Sequence, residues 1–233
     1  MKNTLNRRDF LRFAGAGTAC AVGALSIPAG AKASSPANLI AARVQSFYDQ
    51  TTTLEATFSQ NYYHALYRRT QRSRGRLRVA KPGRIRFDYA RPNGKVIVSD
   101  GDALTLYQPG GGGEAGHHIV HPVEAASLPT ALSFLTGQGR LESDYTFRLA
   151  PSNPRYPGDI LVLHPRSPDP NIRRVILLVH NEDSLRGVVQ RVRIDDHDGN
   201  RNLFLFRGMR FNRDVPASTF RWQPPAASRL MSA

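Results

Sequence analysis

Residues 75–107 constrain the fold more than any other part of this chain, because apolar and arginine-bearing positions alternate there between short turn signals. The alternating apolar positions are Leu77, Val79, Ile85, Phe87 and Tyr89, followed by short apolar runs at 96–98 and 103–107. The breaks fall at 81–83, 91–94 and 100–101, where Pro, Asn and Gly supply the backbone angles that tight turns need. The segment therefore predicts four short antiparallel strands with one apolar face and one arginine-rich face.

Two helices are expected beside this meander. Ser35 and Pro36 mark a helix start, and apolar residues recur at helical spacing through residues 36–50. A second, short helix is predicted over 128–137, with Pro129 in its first turn and Gly137 at its end.

The remaining chain predicts strands and turns. Further strands are expected over 54–67, 119–123, 145–149, 159–164, 173–180, 187–194, 202–211 and 219–222. Residues 64–74 are charged and predict a turn or hairpin tip, and the glycines at 110–113 predict a flexible, disordered loop. We therefore predict a mainly β fold with short α-helices, built as an unclosed antiparallel β-barrel, or half-barrel, of about 10–11 strands with a helical lid.

The first 33 residues predict a cleaved export signal. Paired Arg7 and Arg8 fit a twin-arginine motif, a weakly apolar run follows, and Ala31 and Ala33 form an A-x-A cleavage site. The alternative is a basic amphipathic helix or membrane anchor, for which the apolar run is short. The single cysteine, Cys20, lies inside this segment. We expect one domain over 34–226 and a disordered tail over 227–233.

The chain is strongly basic, with 32 Lys and Arg against 18 Asp and Glu and a formal net charge of +14 at pH 7. A basic surface attracts anionic membranes, lipopolysaccharide or nucleic acid. Most of the arginines occupy alternate strand positions, so we favour a solvated outer face as the explanation and expect no nucleic-acid partner.

Several segments together resemble the outer-membrane lipoprotein carrier family, LolA. They are GRLRV at 75–79, KPGRIRF at 81–87, YARP at 89–92, VIVSDGDALTLY at 96–107, LEATFSQ at 54–60 and FRWQPP at 220–225. The resemblance runs from about Pro36 to Pro225. It implies a LolA-like fold and a non-enzymatic function: a periplasmic chaperone that binds the acyl chains of lipoproteins and carries them from the inner to the outer membrane.

The resemblance also implies partners and lid contacts. The expected partners are acylated lipoproteins, an inner-membrane ATP-binding-cassette release complex and an outer-membrane lipoprotein receptor, and the carrier is expected to be a monomer. In this family a basic residue before the motif proline ties the sheet to the lid, and here that residue is Lys81, with Arg84 or Arg86 as substitutes. Lys81 can donate to lid carbonyls but lacks the guanidinium fork of arginine.

We expect an apolar cavity for acyl chains between the sheet and the lid. The proposed lining residues are Leu77, Val79, Ile85, Phe87, Leu104, Leu106, Leu132, Leu135 and Phe147. Alternation alone does not distinguish a lined cavity from a filled core, so each of these residues is equally compatible with ordinary packing. Rival interpretations are a binder or sensor of another lipid, such as a glycolipid, and a basic module that binds anionic surfaces without a cavity.

No constellation in the sequence supports catalysis, a metal site or a cofactor. His117, His118, His121 and Glu124 lie close in sequence, but Pro122 interrupts them and no second ligand group matches. Residues 195–200 contain acidic residues around Gly199, yet the glycine is misplaced for a calcium loop, and a hairpin turn explains them better. We therefore expect no enzymatic activity.

Overall fold

The computed structural model describes residues 35–112, 114–122 and 132–231. Its strands are β1 (Thr53–His64), β2 (Arg69–Ala80), β3 (Arg84–Tyr89), β4 (Val96–Ser99), β5 (Ala103–Gln108), β6 (His117–Pro122), β7 (Tyr145–Leu149), β8 (Asp159–Pro165), β9 (Arg174–Val179), β10 (Val189–Asp195), β11 (Arg201–Phe211) and β12 (Arg229–Leu230). They form one sheet in the order β12-β6-β5-β4-β3-β2-β1-β11-β10-β9-β8-β7. All neighbours are antiparallel except β12 and β6, and the sheet does not close on itself, which confirms the mainly β, unclosed architecture.

A long hairpin forms the centre of this sheet. β1 and β2 pair over twelve residues, from Thr53 opposite Ala80 to His64 opposite Arg69. The prediction of a turn over 64–74 is therefore wrong for residues 69–74. These residues are polar on both faces and show no apolar alternation, and pairing with β1 makes them extended.

Helix α1 (Pro36–Gln50) begins and ends as the sequence predicts. The Ser35 hydroxyl accepts a hydrogen bond from the Asn38 backbone N–H at 3.3 Å, which satisfies one of the free donors of the first turn. Its buried face consists of Ala37, Ile40, Ala41, Val44 and Tyr48. The helix packs this face onto the sheet.

The second predicted helix is shorter in the described residues than the sequence suggested. Helix α2 covers Ser133–Thr136 and ends at Gly137, whose φ of +77° explains the glycine there. Residues 123–131, which include most of the predicted first turn, lie outside the described residues. A further helix, α3 (Leu141–Asp144), was not predicted, and the Gln45 side chain accepts a hydrogen bond from its Leu141 N–H at 2.9 Å.

The C-terminal segment differs from both predictions made for it. The expected strand over 219–222 is wrong, because Ala217–Phe220 forms a 3₁₀ turn preceded by Pro216 and followed by two prolines that cannot donate to a ladder. Residues 229–230, expected in a disordered tail, instead form β12 beside β6.

The core is one hydrophobic cluster between the helices and the inward-facing positions of the sheet. Burial alternates along β1, β3 and β8, so each of these strands presents one apolar face to it. The described residues contain no helix long and apolar enough to cross a membrane.

Candidate functional site

The nine residues predicted to line a cavity come together in this one hydrophobic cluster. Seven are buried, and Leu106 and Phe147 are half-buried at its border. They come from β2, β3, β5, β7 and the α2 region, which are far apart in sequence. We refer to the part of the cluster formed by these nine residues and the aromatic rings packed on them as the apolar site.

Aromatic rings from three further strand positions complete the apolar site. Phe58 packs edge-on against Phe87 and Tyr89, with ring centroids 5.4 and 4.9 Å apart, and Phe204 lies 6.0 Å from Phe58. Gly75 lies opposite Phe58, and a Cβ there would come within 2.7 Å of the ring, so only glycine leaves room for it. Phe58 and Phe204 were not among the predicted site residues, although both occupy alternating positions in their strands.

The helices cover this site through Tyr48 of α1. Its ring packs edge-on against Phe134 of α2 at 5.0 Å, and its hydroxyl accepts a hydrogen bond from the Val189 N–H at 3.3 Å. Burial raises the pKa of Tyr48 far above its ordinary value, so the hydroxyl stays neutral. Tyr48 therefore joins both helices to the sheet.

Lys81 connects the β2–β3 turn to both helices. Its ammonium group donates to the carbonyl oxygen of Tyr48 in the last turn of α1, and its backbone N–H donates to the Thr52 carbonyl at 2.9 Å. Its side chain passes against Gly137 at the end of α2, where an added Cβ would lie 3.1 Å from Lys81 Cδ. Burial lowers the pKa of Lys81, and the nearby Asp49 carboxylate opposes that effect.

Arg84 and Arg86 contact a different part of the molecule. The Arg84 guanidinium lies 5.7 Å from the centre of the Phe220 ring and donates to the Lys81 carbonyl at 3.3 Å. Arg86 pairs with Asp88 and donates to the Thr219 carbonyl at 2.8 Å. Both arginines thus hold the C-terminal 3₁₀ turn against the sheet, whereas Lys81 contacts α1 and α2.

The sites considered for chemistry have structural explanations where the structure describes them. His117, His118 and His121 lie on β6, His118 Nδ1 is 2.9 Å from the Ser228 hydroxyl, and Glu124 lies outside the described residues. No group of three or more metal-ligating side chains occurs in the ranges that the structure describes. Residues 196–200 form the β10–β11 turn, with the Asp196 carboxylate accepting from the Asn200 backbone N–H at 2.8 Å.

Comparison with known proteins agrees with this architecture. A family model described as outer membrane lipoprotein carrier protein LolA matches residues 49–223. The chain belongs to the LolA family. Outer-membrane lipoprotein carrier proteins of Chromobacterium violaceum and Chromohalobacter salexigens are 27% and 26% identical to it, covering 90% and 91% of this chain and 95% of each relative.

Solved structures are more distant. A LolA superfamily protein from Nitrosomonas europaea aligns over 80% of this chain and 97% of its own, with 12% identity and a TM-score of 0.43.

Proposed function

We propose that this protein is a periplasmic carrier that binds the acyl chains of lipoproteins in the apolar site and moves them from the inner to the outer membrane. Membership of the LolA family, whose relatives are named as lipoprotein carriers, is the observation that carries this proposal. The packing of α1 and α2 over the apolar site supports it. Binding and release suffice, and no covalent step is involved.

The route through the cell follows from the same proposal. The twin-arginine motif at Arg7 and Arg8, which lies outside the described residues, would direct export to the periplasm. An inner-membrane ATP-binding-cassette complex would deliver the acylated lipoprotein, and an outer-membrane receptor would accept it.

The apolar site would accept acyl chains by movement of the helices away from the sheet. In the closed arrangement the side chains of the site pack on one another, so bound chains must replace those contacts. α2 has only four residues and no side-chain N-cap, so its stability depends on packing rather than on its own hydrogen bonds. Each buried CH₂ of an acyl chain contributes about 0.8 kcal/mol, which favours the open, loaded arrangement.

Native mass spectrometry of the protein purified from the periplasm tests this function. We expect added acylated peptides to bind, with affinity rising by up to about fourfold per methylene of chain length. The same peptide without acyl chains is the control and should not bind in this way. A bound free lipid or glycolipid would favour another cargo, whereas binding that depends on salt but not on chain length would favour the anionic-surface module.

A further inference from the structure

Half of strand β2 has a free edge. β2 pairs with β1 along its whole length, but its pairing with β3 begins only at Gly75, opposite Tyr89. Residues 69–74 therefore have a neighbouring strand on one side only. In the part of the chain that the structure describes, no other strand covers the second side.

The backbone groups of Thr70 and Arg72 point towards this free side. The Arg74 carbonyl accepts a hydrogen bond from the Ala90 N–H at 2.8 Å, which places the Arg74 carbonyl on the β3 side. Backbone groups of an antiparallel strand alternate between its two neighbours along the chain. Arg72 and Thr70 share the direction of Arg74, so their N–H and C=O groups face the side without a strand.

Residues 71–74 of this free edge form one wall of a groove of about 1170 Å³. The 90–95 turn and the 108–111 loop form its opposite walls. Its lining residues are Ser59, Gln60, Asn61, Tyr62, Gln71, Arg72, Ser73, Arg74, Ala90, Arg91, Pro92, Asn93, Lys95, Gln108, Pro109, Gly110, Gly111 and Asn202. They include four cations and no carboxylate.

The four cations are Arg72, Arg74, Arg91 and Lys95, and none of them forms an ion pair within residues 35–112, 114–122 and 132–231. The three arginines are exposed, and Lys95 lies 5.7 Å from the centre of the Tyr89 ring. Elsewhere on β2 and β3, Arg78 and Arg86 both pair with the Asp88 carboxylate, at 2.9 and 2.8 Å. The groove is thus suited to an acidic ligand.

The groove also adjoins the apolar site. Gln60, on its floor, hydrogen-bonds to Tyr89, whose ring packs against Phe58 in the apolar site. An acyl chain that leaves the apolar site past Tyr89 would have its polar end close to the groove.

We propose that the groove binds an extended, acidic polypeptide segment that adds to β2 as an extra strand at Thr70 and Arg72. Resting on the proposed function, we assign this segment to the lipoprotein chain that follows the acylated residue. Unpaired strand edges bind extended peptides by main-chain hydrogen bonds, and the cations select for acidic side chains. A lipid headgroup would use the cations but not a row of main-chain donors and acceptors, so the free edge favours a polypeptide.

The test compares three synthetic diacylated peptides bound to the full exported protein by calorimetry. One has an acidic linker of about eight residues, the second has the same linker with alternate amides N-methylated, and the third carries lysine in place of the acidic residues. We expect the first to bind about tenfold more tightly than the other two, because each of them loses either the main-chain hydrogen bonds or the charge attraction. Hydrogen exchange should show new protection of the Thr70 and Arg72 amides with the first peptide only.

Substitutions at Arg72 separate the contribution of its main-chain N–H to binding from that of its side-chain charge. Arg72→Pro and Arg72→Ala both remove the guanidinium, but only the proline removes the N–H that faces the groove, and that N–H is not part of the β1 ladder. We expect Arg72→Pro to lose about threefold or more affinity beyond Arg72→Ala. Arg207→Ala, at an exposed β11 position outside the groove, is the control for net charge and should bind as the unaltered protein does.

The outcomes distinguish the groove from the acyl site. Equal affinities for all three peptides, without protection at residues 70 and 72, would overturn the proposal while leaving acyl binding intact. If none of the acylated peptides binds, the carrier function is refuted. The acidic linker without acyl chains, at high concentration, then tests the groove by itself. If it gives no protection of the 70 and 72 amides, the groove proposal is overturned as well. Phosphatidylglycerol is the test for a lipid headgroup. If it binds equally less well to both Arg72 variants and gives no protection of the 70 and 72 amides, the ligand of the groove is a lipid headgroup and not a polypeptide.

Discussion

Lys81 is the residue at which the sheet and the helices depend on one another. Its ammonium group reaches the last turn of α1, its backbone is bonded to Thr52, and its side chain lies against the end of α2. Because it is half-buried, its hydrogen bond can contribute to the closed arrangement without dominating the stability of the whole fold.

Replacing Lys81 with leucine should loosen the closed arrangement by about 1 kcal/mol. If cargo binds to the open arrangement, the Lys81→Leu protein should bind acylated peptide about fivefold more tightly and transfer it more slowly to an acceptor. The measurement is transfer of a fluorescent acylated peptide from the carrier to vesicles, with urea unfolding as the check on stability. Lys81→Arg retains a donor and is the control. Transfer at the original rate in Lys81→Leu would remove Lys81 from the gating of the site.

Asp195 is the one buried carboxylate in the described residues, and two arginines surround it. It accepts hydrogen bonds from Arg174 Nε at 2.7 Å and from Arg193 Nε at 2.6 Å. Burial acts to raise the pKa of Asp195, but the hydrogen bonds and charges of Arg193 and Arg174 together hold it below its usual value. The folded protein therefore favours the ionised carboxylate, and this contribution to stability is present above the unfolded pKa near 4 and lost as pH falls through the folded pKa.

Asp195→Asn should lower the free energy of unfolding by about 3 kcal/mol at neutral pH, because it leaves two arginines beside a neutral amide. The difference from the unaltered protein should shrink below about pH 4. Urea unfolding across pH measures both effects. Asp183→Asn, at an exposed ion pair with Arg186, is the control and should change little. A difference that stays constant into acid would mean that the ionised carboxylate is not what stabilises the fold.

Among the helices, strands and turns, those whose local sequence pattern agrees with their packing in the fold were correctly predicted. α1 has a capping serine, a proline and an apolar stripe, and the β10–β11 turn has Asp, Gly and Asn, so both were correctly predicted. Residues 69–74 were missed because they carry no apolar face and become a strand through pairing with β1. The apparent strand at 219–222 has alternating aromatics, but its prolines and the contacts of Phe220 favour a 3₁₀ turn.

The candidate site was likewise predictable only where a local sequence pattern marks the residues. Alternation identified the apolar positions of β2, β3 and β5, because one face of each strand must be buried. The contribution of Phe204 depends on the β1–β11 register, which pairs it with Gln60, a residue 144 positions earlier in the chain. The free edge of β2 depends on where β3 ends, and the sequence of residues 69–74 does not indicate that this edge is free.

The whole molecule combines a continuous sheet with helices that lie on it and do not extend its hydrogen-bond ladder. The central strands β1 and β11 are each paired on both sides, whereas α2 is four residues long and held by packing and by the Lys81 turn. The Gly83 N–H, for example, donates to the Thr136 carbonyl at 3.3 Å, a weak bond for the end of a helix. We infer that the helices open away from a sheet that stays intact.

Hydrogen exchange of the intact protein tests this division. The amides of α1 and α2 should exchange through local opening, at least about 30-fold faster than those at the centre of β1, which should exchange only on global unfolding. A diacylated peptide should change exchange in the helices, because it occupies the space beneath them, and leave the β1 centre nearly unchanged. Lys81→Leu should widen the difference by about fivefold, in line with its effect on the closed arrangement. If helices and central strands exchange together at one rate, the protein opens as a single unit, and acyl chains would have to enter a site that the closed fold already fills.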